Sequence, residues 1–456
     1  GLYLVVIKIN FMVTRAITKK AIALSLIFFA EIFISLSERS MSLDTESGVA
    51  GNAISHRLTN NISSYPQVAD AEKEIHAFLD KWDIVGASVA IAKDERLIYA
   101  KGFGHADREK DIRVEPRHLF RVASVSKLIT AVAIMQLREE GRLKLNDQVF
   151  GKDGILDDPS FLNIRDPRVR DINIYHLLTH AAGWDKYSGD PVFMPYAIKR
   201  EMDADLPIDL ETTIRYTLSK RTLDFDPGSR SSYSNLGYAV LGKVIENLTG
   251  MEYENYVNSR VLNPIGIYDM HLGHSMADKR YPNEVKYYSN SRYQTTYSSY
   301  EYRKKVPSYY GGNNLKVLGA AGAWIASPAE LLKLLVHING RDGKKDILSD
   351  TTLHQMTHTR PGFKPIGWVS TTYNGIWKRS GTLSGTSALM KKGRNGYSWV
   401  MVLNTSNDQG HEFTYEIDDL MTTFLAQVDR WPRHDLFQYN TPRPLYTYTK
   451  EGNNSF

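Results

Sequence analysis

The apolar, strand-like patterns of this chain lie near its two ends, separated by a long middle that reads as helix, and this limits the folds open to it. Near the start, Gly86–Lys93 and residues 97–102 are runs rich in Val, Ile and Tyr joined by Asp94 and Glu95, which predicts an antiparallel hairpin. Near the end, residues 375–380, 386–391 and 397–404 read as three further strands, with Gly385 and residues 392–396 as their turns. An amphipathic helix flanks each set: residues 68–82, with Ile75, Phe78 and Leu79 at helical spacing, and residues 411–428. Helices are expected in the middle at 124–140, Ile174–Leu178, 210–219, 236–248 and 328–338. The expected fold is α/β of the α+β kind, an antiparallel sheet flanked by N- and C-terminal helices plus a mostly α lobe. The cleft between the two is the natural place for a site.

Composition narrows the function classes. At 456 residues, 42% hydrophobic and 23% charged, the chain has an ordinary globular balance with room for one large domain or two lobes. Its formal charge of +5 is concentrated at the amino end, where Lys8, Arg15, Lys19 and Lys20 face Glu31 alone. The remainder is nearly neutral, which is no footprint for nucleic acid. There is no cysteine, so disulfides, thiolate metal sites and cysteine nucleophiles are all excluded. Met12 is followed by Arg15, Lys19 and Lys20, then by the apolar run 21–34 and by Ser35, Leu36 and Ser37. That order of charged, apolar and small residues predicts an export signal cleaved near Ser37. A membrane anchor is the alternative, but the run falls short of the ~20 apolar residues that a span needs and is broken by Glu31.

Three stretches carry chemistry. Ser124-Val125-Ser126-Lys127 opens an apolar helix, and residues three apart share a helix face, so Lys127 can take the hydroxyl proton of Ser124 if its own pKa is lowered. Free N–H groups at such a helix start suit an oxyanion. Ser and Lys at this spacing also occur by chance, so the weight comes from polar positions gathered at the start of an otherwise apolar helix. The second stretch is Tyr233-Ser234-Asn235, after the turn Phe225-Asp226-Pro227-Gly228 and before a helix. A Tyr beside cations can relay protons, and an Asn can hold a substrate carbonyl. The same Tyr-x-Asn pattern at Tyr253 and Tyr256 falls inside a predicted helix, and at Tyr288 inside a tyrosine-rich loop. The third is Arg379-Ser380-Gly381-Thr382 on a strand, where Gly381 lets a substrate backbone approach, the Thr382 N–H is a second oxyanion donor, and Arg379 can clamp a carboxylate.

Taken together, these stretches resemble the serine β-lactamases, D-alanyl-D-alanine peptidases and related esterases, most closely the class C-like branch. The likeness runs from Ala71 to Val428. It includes Tyr175 to His180 with Gly183, Phe225 to Gly228, Tyr238 to Gly242 with Thr249-Gly250, and Asn263 to Gly266. What the resemblance implies is acylation of Ser124, proton transfer by Lys127 and Tyr233, an oxyanion hole from the Ser124 and Thr382 N–H groups, and substrate binding by Asn235, Arg379, Ser380 and Gly381. No metal or cofactor is implied. The family's third motif usually begins with Lys or His where this chain has Arg379, which puts hydrolysis of antibiotics in doubt. His180 belongs to a structural turn in this family. The eight tyrosines between Tyr287 and Tyr310 form either a binding rim or ordinary strand-and-loop packing.

The expected plan is a leader and signal peptide at 1–37, a polar linker at 38–66, a β-lactamase-related serine hydrolase domain at 67–430 and a tail at 431–456. Within the domain, 67–123 and 315–430 are assigned to the sheet lobe and 124–314 to the helical lobe. The expected substrate is a small molecule or peptidoglycan peptide: a D-alanyl peptide, a small ester or, third, a β-lactam. The rival reading is a penicillin-binding sensor that acylates without turnover. The expected location is periplasmic or secreted, with membrane contact only through an uncleaved amino-terminal segment.

Overall fold

The computed structural model describes residues 53–439. The expected signal peptide, the first part of the 38–66 stretch and the end of the tail lie outside the described residues. The early and late parts of the described residues join in one sheet. Strands β1 (Gly86–Lys93), β2 (Arg96–Asp107), β3 (Ile112–Arg113), β4 (Ser370–Thr371), β5 (Trp377–Leu383), β6 (Thr386–Lys392) and β7 (Tyr397–Leu403) form a seven-stranded antiparallel sheet in the order β4-β5-β6-β7-β1-β2-β3. The seam between the two parts pairs β1 with β7, from Ala87 opposite Leu403 to Lys93 opposite Tyr397.

In β1 every residue but Lys93 is buried, because both faces of the sheet are covered. Successive side chains point to opposite faces. Val89, Ile91, Trp399 and Met401 therefore pack with Phe78 and Phe413 of the flanking helices α1 (Ala69–Trp82) and α8 (Phe413–Ala426). Ala90, Ala92, Met390, Val400 and Val402 turn the other way, into the core shared with the inner helices. Burial of each large apolar side chain there contributes roughly 1.5–3 kcal/mol relative to exposure.

Those inner helices are α2 (Ser126–Glu139), α3 (Ile174–Leu178), α4 (Leu210–Lys220), α5 (Asn235–Thr249), α6 (Leu315–Gly322) and α7 (Pro328–Val336). Eleven of the 14 residues of α2 are buried, as befits a helix apolar on nearly every side. The Ser234 hydroxyl caps α5 by accepting from Gly237 N, and Gly250, at φ +69°, ends it.

Several boundaries differ from expectation for identifiable reasons. β5 starts two residues late because Gly375 belongs to a turn closed by its N–H on the Thr372 carbonyl. β2 runs on past Gly102, where the lack of a side chain admits Val114: a β-carbon on Gly102 would lie 2.4 Å from the Val114 carbonyl oxygen. α6 packs on α5, with Gly242 against Ala320, so it joins the helices rather than the sheet lobe to which 315–430 was assigned. Helices Pro195–Met202 and Asp350–Thr357 were not anticipated.

The polar composition of 53–66 reads as a linker, yet this part of the stretch is docked. Ile54 and Leu58 are buried in the main core. Asn60 Oδ1 accepts from Gly102 N (2.7 Å), Ser63 Oγ accepts from Ala100 N (2.9 Å) and Tyr65 Oη donates to the Ile98 carbonyl (2.9 Å). At the far end Leu436 and Phe437 are buried and Asp435 accepts from Leu97 N (3.0 Å), so residues 431–439 are docked as well. Polar side chains thus occupy the free edge of β2, a role that composition does not reveal.

Candidate active site

The apolar spacing places the start of α2 at Ser124, but the helix begins two residues later. Ala123–Val125 form a tight 3₁₀ turn in which Ala123 adopts a left-handed φ of +46°. That conformation costs a residue with a β-carbon about 1–3 kcal/mol and persists only where the surroundings enforce it. Here Val125 N bonds the Val122 carbonyl (3.0 Å), while Ser126 Oγ donates to the Ala123 carbonyl (2.6 Å) and accepts from Trp324 N (3.1 Å). Gly381 on β5 completes the enclosure, since a β-carbon there would lie 2.2 Å from the Val122 carbonyl oxygen and 2.8 Å from Ser124 N. The glycine expected to admit substrate backbone therefore admits the turn that carries Ser124.

Two side chains converge on Ser124 Oγ. Tyr233 Oη donates to it at 2.8 Å and Lys127 Nζ at 3.2 Å. Lys127 is fully buried, and Nζ also donates to Asn235 Oδ1 (2.8 Å) and to the Ala321 carbonyl (2.6 Å) while lying 4.9 Å from the centre of the Tyr233 ring. Burial pulls the Lys127 ammonium below its ordinary pKa, opposed by the partial charge of Tyr233 and reinforced by Arg379. Burial by itself would raise the Tyr233 phenol, but the positive charges of Lys127 and Arg379 outweigh it and bring the group down to about 8. Side by side, the two groups lose their first proton as a pair.

Asn235, the first residue of α5, turns its amide oxygen to Lys127 and its backbone N–H and Nδ2 to Asp190 Oδ2, at 2.6 and 3.3 Å. Arg379, expected to clamp a substrate carboxylate, lines the cleft but donates to protein acceptors. It is 1% exposed, with Nε donating to the Ser124 carbonyl (2.7 Å) and Nη2 to Tyr233 Oη (3.3 Å). Its charge is directed at the Ser124 turn and at Tyr233. Ser380 is buried, with its Oγ 3.4 Å from His411 Nδ1. The Lys378 carbonyl of β5 accepts from Val369 N, just before β4. The two-residue alternation of a strand carries the Thr382 N–H to the same edge, beyond the end of β4 and beside the Ser124 turn.

The five residues Ser124, Lys127, Tyr233, Asn235 and Arg379 thus meet at one point, with Ser380, Gly381 and Thr382 alongside. All of them but Lys127, which lies behind Ser124, border a cleft of about 560 Å³. Its walls are apolar at Phe193, Leu318 and Trp368 and cationic at Arg230 and Lys364, with Arg230 paired to Asp185. His180 is buried with its ring 4.5 Å from that of Tyr233, and its Nδ1 accepts from Ser234 N (3.2 Å). Burial, then the charges of Lys127 and Arg379, hold His180 well below its ordinary pKa, so it packs Tyr233 as a neutral ring. Sequence reasoning missed Asp190, His411, Lys364 and the apolar wall. For Asp190 the available signal was an Asp before Pro191, which marks a turn or helix start and no more. No group of three or more His, Asp or Glu among the described residues is arranged to hold a metal ion, and no helix among them is long and apolar enough to cross a membrane.

The tyrosine-rich segment divides in two. Tyr287 and Tyr310 pack against the buried guanidinium of Arg121. Tyr293, Tyr297 and Tyr302 are exposed.

Known proteins share this arrangement of elements. The Beta-lactamase family model matches residues 71–435. The chain is 30% identical to Protein flp of Staphylococcus aureus over 209 residues, 46% of this chain and 38% of that protein. It is 33% identical to Esterase EstB of Burkholderia gladioli over 194 residues, 41% of this chain and 46% of that protein. The chain therefore spans less than half the length of either curated relative. Among solved structures, the octameric penicillin-binding protein homologue from Pyrococcus abyssi superposes with a TM-score of 0.57 at 25% identity, covering 74% of this chain and 73% of that one. A sheet assembled from segments far apart in the sequence, with a Ser-x-x-Lys turn buried against its strand β5 and a family match over most of the length, makes this chain a member of the β-lactamase family.

Proposed function

We propose that this protein is a serine hydrolase that cleaves an amide or ester through an acyl-enzyme on Ser124. The observation that carries the reading is the convergence of Lys127 Nζ and Tyr233 Oη on Ser124 Oγ, at 3.2 and 2.8 Å, beside a cleft of about 560 Å³. In this reaction the Ser124 hydroxyl gives its proton to the Lys127–Tyr233 pair as Oγ bonds the substrate carbonyl carbon. The carbonyl electron pair moves to oxygen, held by the Ser124 and Thr382 N–H groups. Collapse of that intermediate breaks the bond to the leaving group, which departs with a proton from Tyr233. Water then attacks the acyl-enzyme and passes a proton to the same pair; collapse of this second intermediate breaks the bond to Oγ, the pair returns the proton to Oγ, and the acid and the free serine are released.

A D-alanyl peptide or a small ester is the favoured substrate, and a β-lactam the third choice. The inward position of Arg379 removes the support for a carboxylate clamp by that residue, whereas the apolar wall at Phe193, Leu318 and Trp368 suits a compact acyl group. Export, expected from residues 12–37, belongs to the same proposal, and sequencing the amino terminus of the mature protein tests it.

The decisive experiment is labelling with a fluorophosphonate followed by mass spectrometry, together with the time course of product release from short-chain esters and D-Ala-D-Ala peptides. An adduct on Ser124 with sustained turnover is expected. An adduct on another residue overturns the assignment, and a single stoichiometric burst means an acylating sensor instead of a hydrolase.

A further inference from the structure

Asp190 is a carboxylate next to the reacting groups that the mechanism above leaves unused. It stands at the start of the 3₁₀ turn Pro191–Phe193 and caps it by accepting from Val192 N (3.3 Å). The loop before it is anchored, because Arg221 grips the Ser188 and Gly189 carbonyls at 2.9 and 2.7 Å. Pro191 fixes the backbone that follows. Held from both sides, the carboxylate aims Oδ2 at Asn235, taking the backbone N–H at 2.6 Å and Nδ2 at 3.3 Å.

The second bond decides which way the Asn235 amide faces. An asparagine side chain has a donating and an accepting end. With Nδ2 turned to an anion, Oδ1 must face the other way, where it accepts from Lys127 Nζ at 2.8 Å. Four groups surround the Lys127–Tyr233 pair: Tyr238 of α5, His180 after α3, Arg379 of β5 and Asp190, with His411 and Lys364 farther out. His180 and Tyr238 are buried and neutral. Arg379 is the cation next to the pair and Asp190 the anion across Asn235 from it.

We propose that Asp190 is a positioning residue for acyl transfer at Ser124: it orients Asn235, which fixes Lys127, and its negative charge sets the pH at which the Lys127–Tyr233 pair yields a proton. The inference rests on the reading of Ser124 as the nucleophile. A proton leaves the pair less readily beside an anion, whichever of the two groups releases it. Removing the anion therefore moves the acid limb of activity to lower pH. Burial raises the carboxyl pKa of Asp190, opposed by the Asn235 and Val192 N–H groups, so the anion is lost at a higher pH than that of an exposed aspartate.

The test compares wild type, Asp190→Asn, Asp190→Ala, Asn235→Ala and the Asp190→Ala/Asn235→Ala double variant of the full chain, using pH profiles of kcat/KM on a neutral p-nitrophenyl ester. If wild type shows neither turnover nor a Ser124 adduct, the nucleophile assignment has failed rather than this inference. Given an active wild type, the acid limb of Asp190→Asn should move down by about one pH unit. Asp190→Ala should show the same displacement with about a tenfold loss at the optimum, as a released Asn235 amide turns. The double variant should be little worse than Asn235→Ala, since the two residues act as one unit. Asparagine can direct its oxygen to Asn235 or to Val192 but not to both, so a somewhat lower Tm is compatible with the proposal. An acid limb that stays in place in Asp190→Asn reduces Asp190 to a turn cap and overturns the proposal. Fully additive losses in the double variant overturn the route through Asn235.

Discussion

Arg379 donates from Nε to the backbone carbonyl of Ser124 at 2.7 Å, which ties strand β5 directly to the residue read as the nucleophile. The same guanidinium reaches Tyr233 Oη at 3.3 Å, so one side chain supports both the position of the serine and the acidity of the tyrosine. A lysine could supply the charge but has no planar fork to reach two acceptors at once.

Arg379→Ala is accordingly expected to lower kcat/KM on a neutral short-chain ester and on a peptide with a free carboxylate by the same factor, about ten- to a hundredfold. Arg379→Lys should restore part of the loss on both substrates. A loss confined to the carboxylate substrate would show that Arg379 grips the substrate after all.

Replacing Ser124 with Ala should abolish fluorophosphonate labelling and leave the far-ultraviolet circular dichroism unchanged. Lys127→Ala and Tyr233→Phe should each lower turnover by about 10²-fold or more, and the double variant should be little worse than the weaker single. Near-wild-type rates in either single variant would remove that residue from the mechanism.

The pH profile follows from the shared proton of Lys127 and Tyr233. Both groups are held below their ordinary pKa, Tyr233 at about 8, and the reaction needs the pair to have lost one proton. Activity on a neutral ester should therefore rise with pH through the region of 8 and level off above it. In Tyr233→Phe the residual rate should follow the Lys127 ammonium alone, with a displaced midpoint. A profile flat from pH 6 to 9 would contradict the assignment of the pair.

Gly381→Ala probes the enclosure of the Ser124 turn. Its new β-carbon meets backbone atoms 2.2 and 2.8 Å away, which no side-chain rotation can relieve. A destabilisation of about 1–3 kcal/mol is expected by denaturant unfolding. Activity should fall by about 10²-fold, because displacing the reacting oxygen by an ångström is costly. Wild-type activity in a stable variant would mean that the strand yields without moving Ser124.

The sheet and its two outer helices were legible because β1 and β7 are continuous apolar runs and Ile75, Phe78 and Leu79 keep helical spacing. The meeting of Ser124, Lys127, Tyr233 and Arg379 was legible as far as local order allows, with Lys127 one turn from Ser124 and Tyr233 at a loop-to-helix junction. The direction in which Arg379 points was not, since it depends on the approach of β5 to the 122–125 turn, a contact between residues far apart in sequence. Asp190 escaped notice for the same reason. Its one local signature is that of a turn, and its neighbour Asn235 is brought to it by the packing of α5. The polar segments 53–66 and 431–439 misled because a side chain that completes a strand edge has the same composition as one that meets water.

Those two segments have a practical meaning for anyone trimming the gene. Residues 60–65 and 434–435 hold the outward amides and carbonyl of residues 97–102 with side chains, in place of a neighbouring strand. Cutting at the borders of the matched family region, 71 and 435, would discard the amino-terminal half of that cover. An uncovered strand edge is a template for pairing with another chain. A fragment cut there should self-associate and precipitate where the longer protein stays dispersed, even with every catalytic group in place.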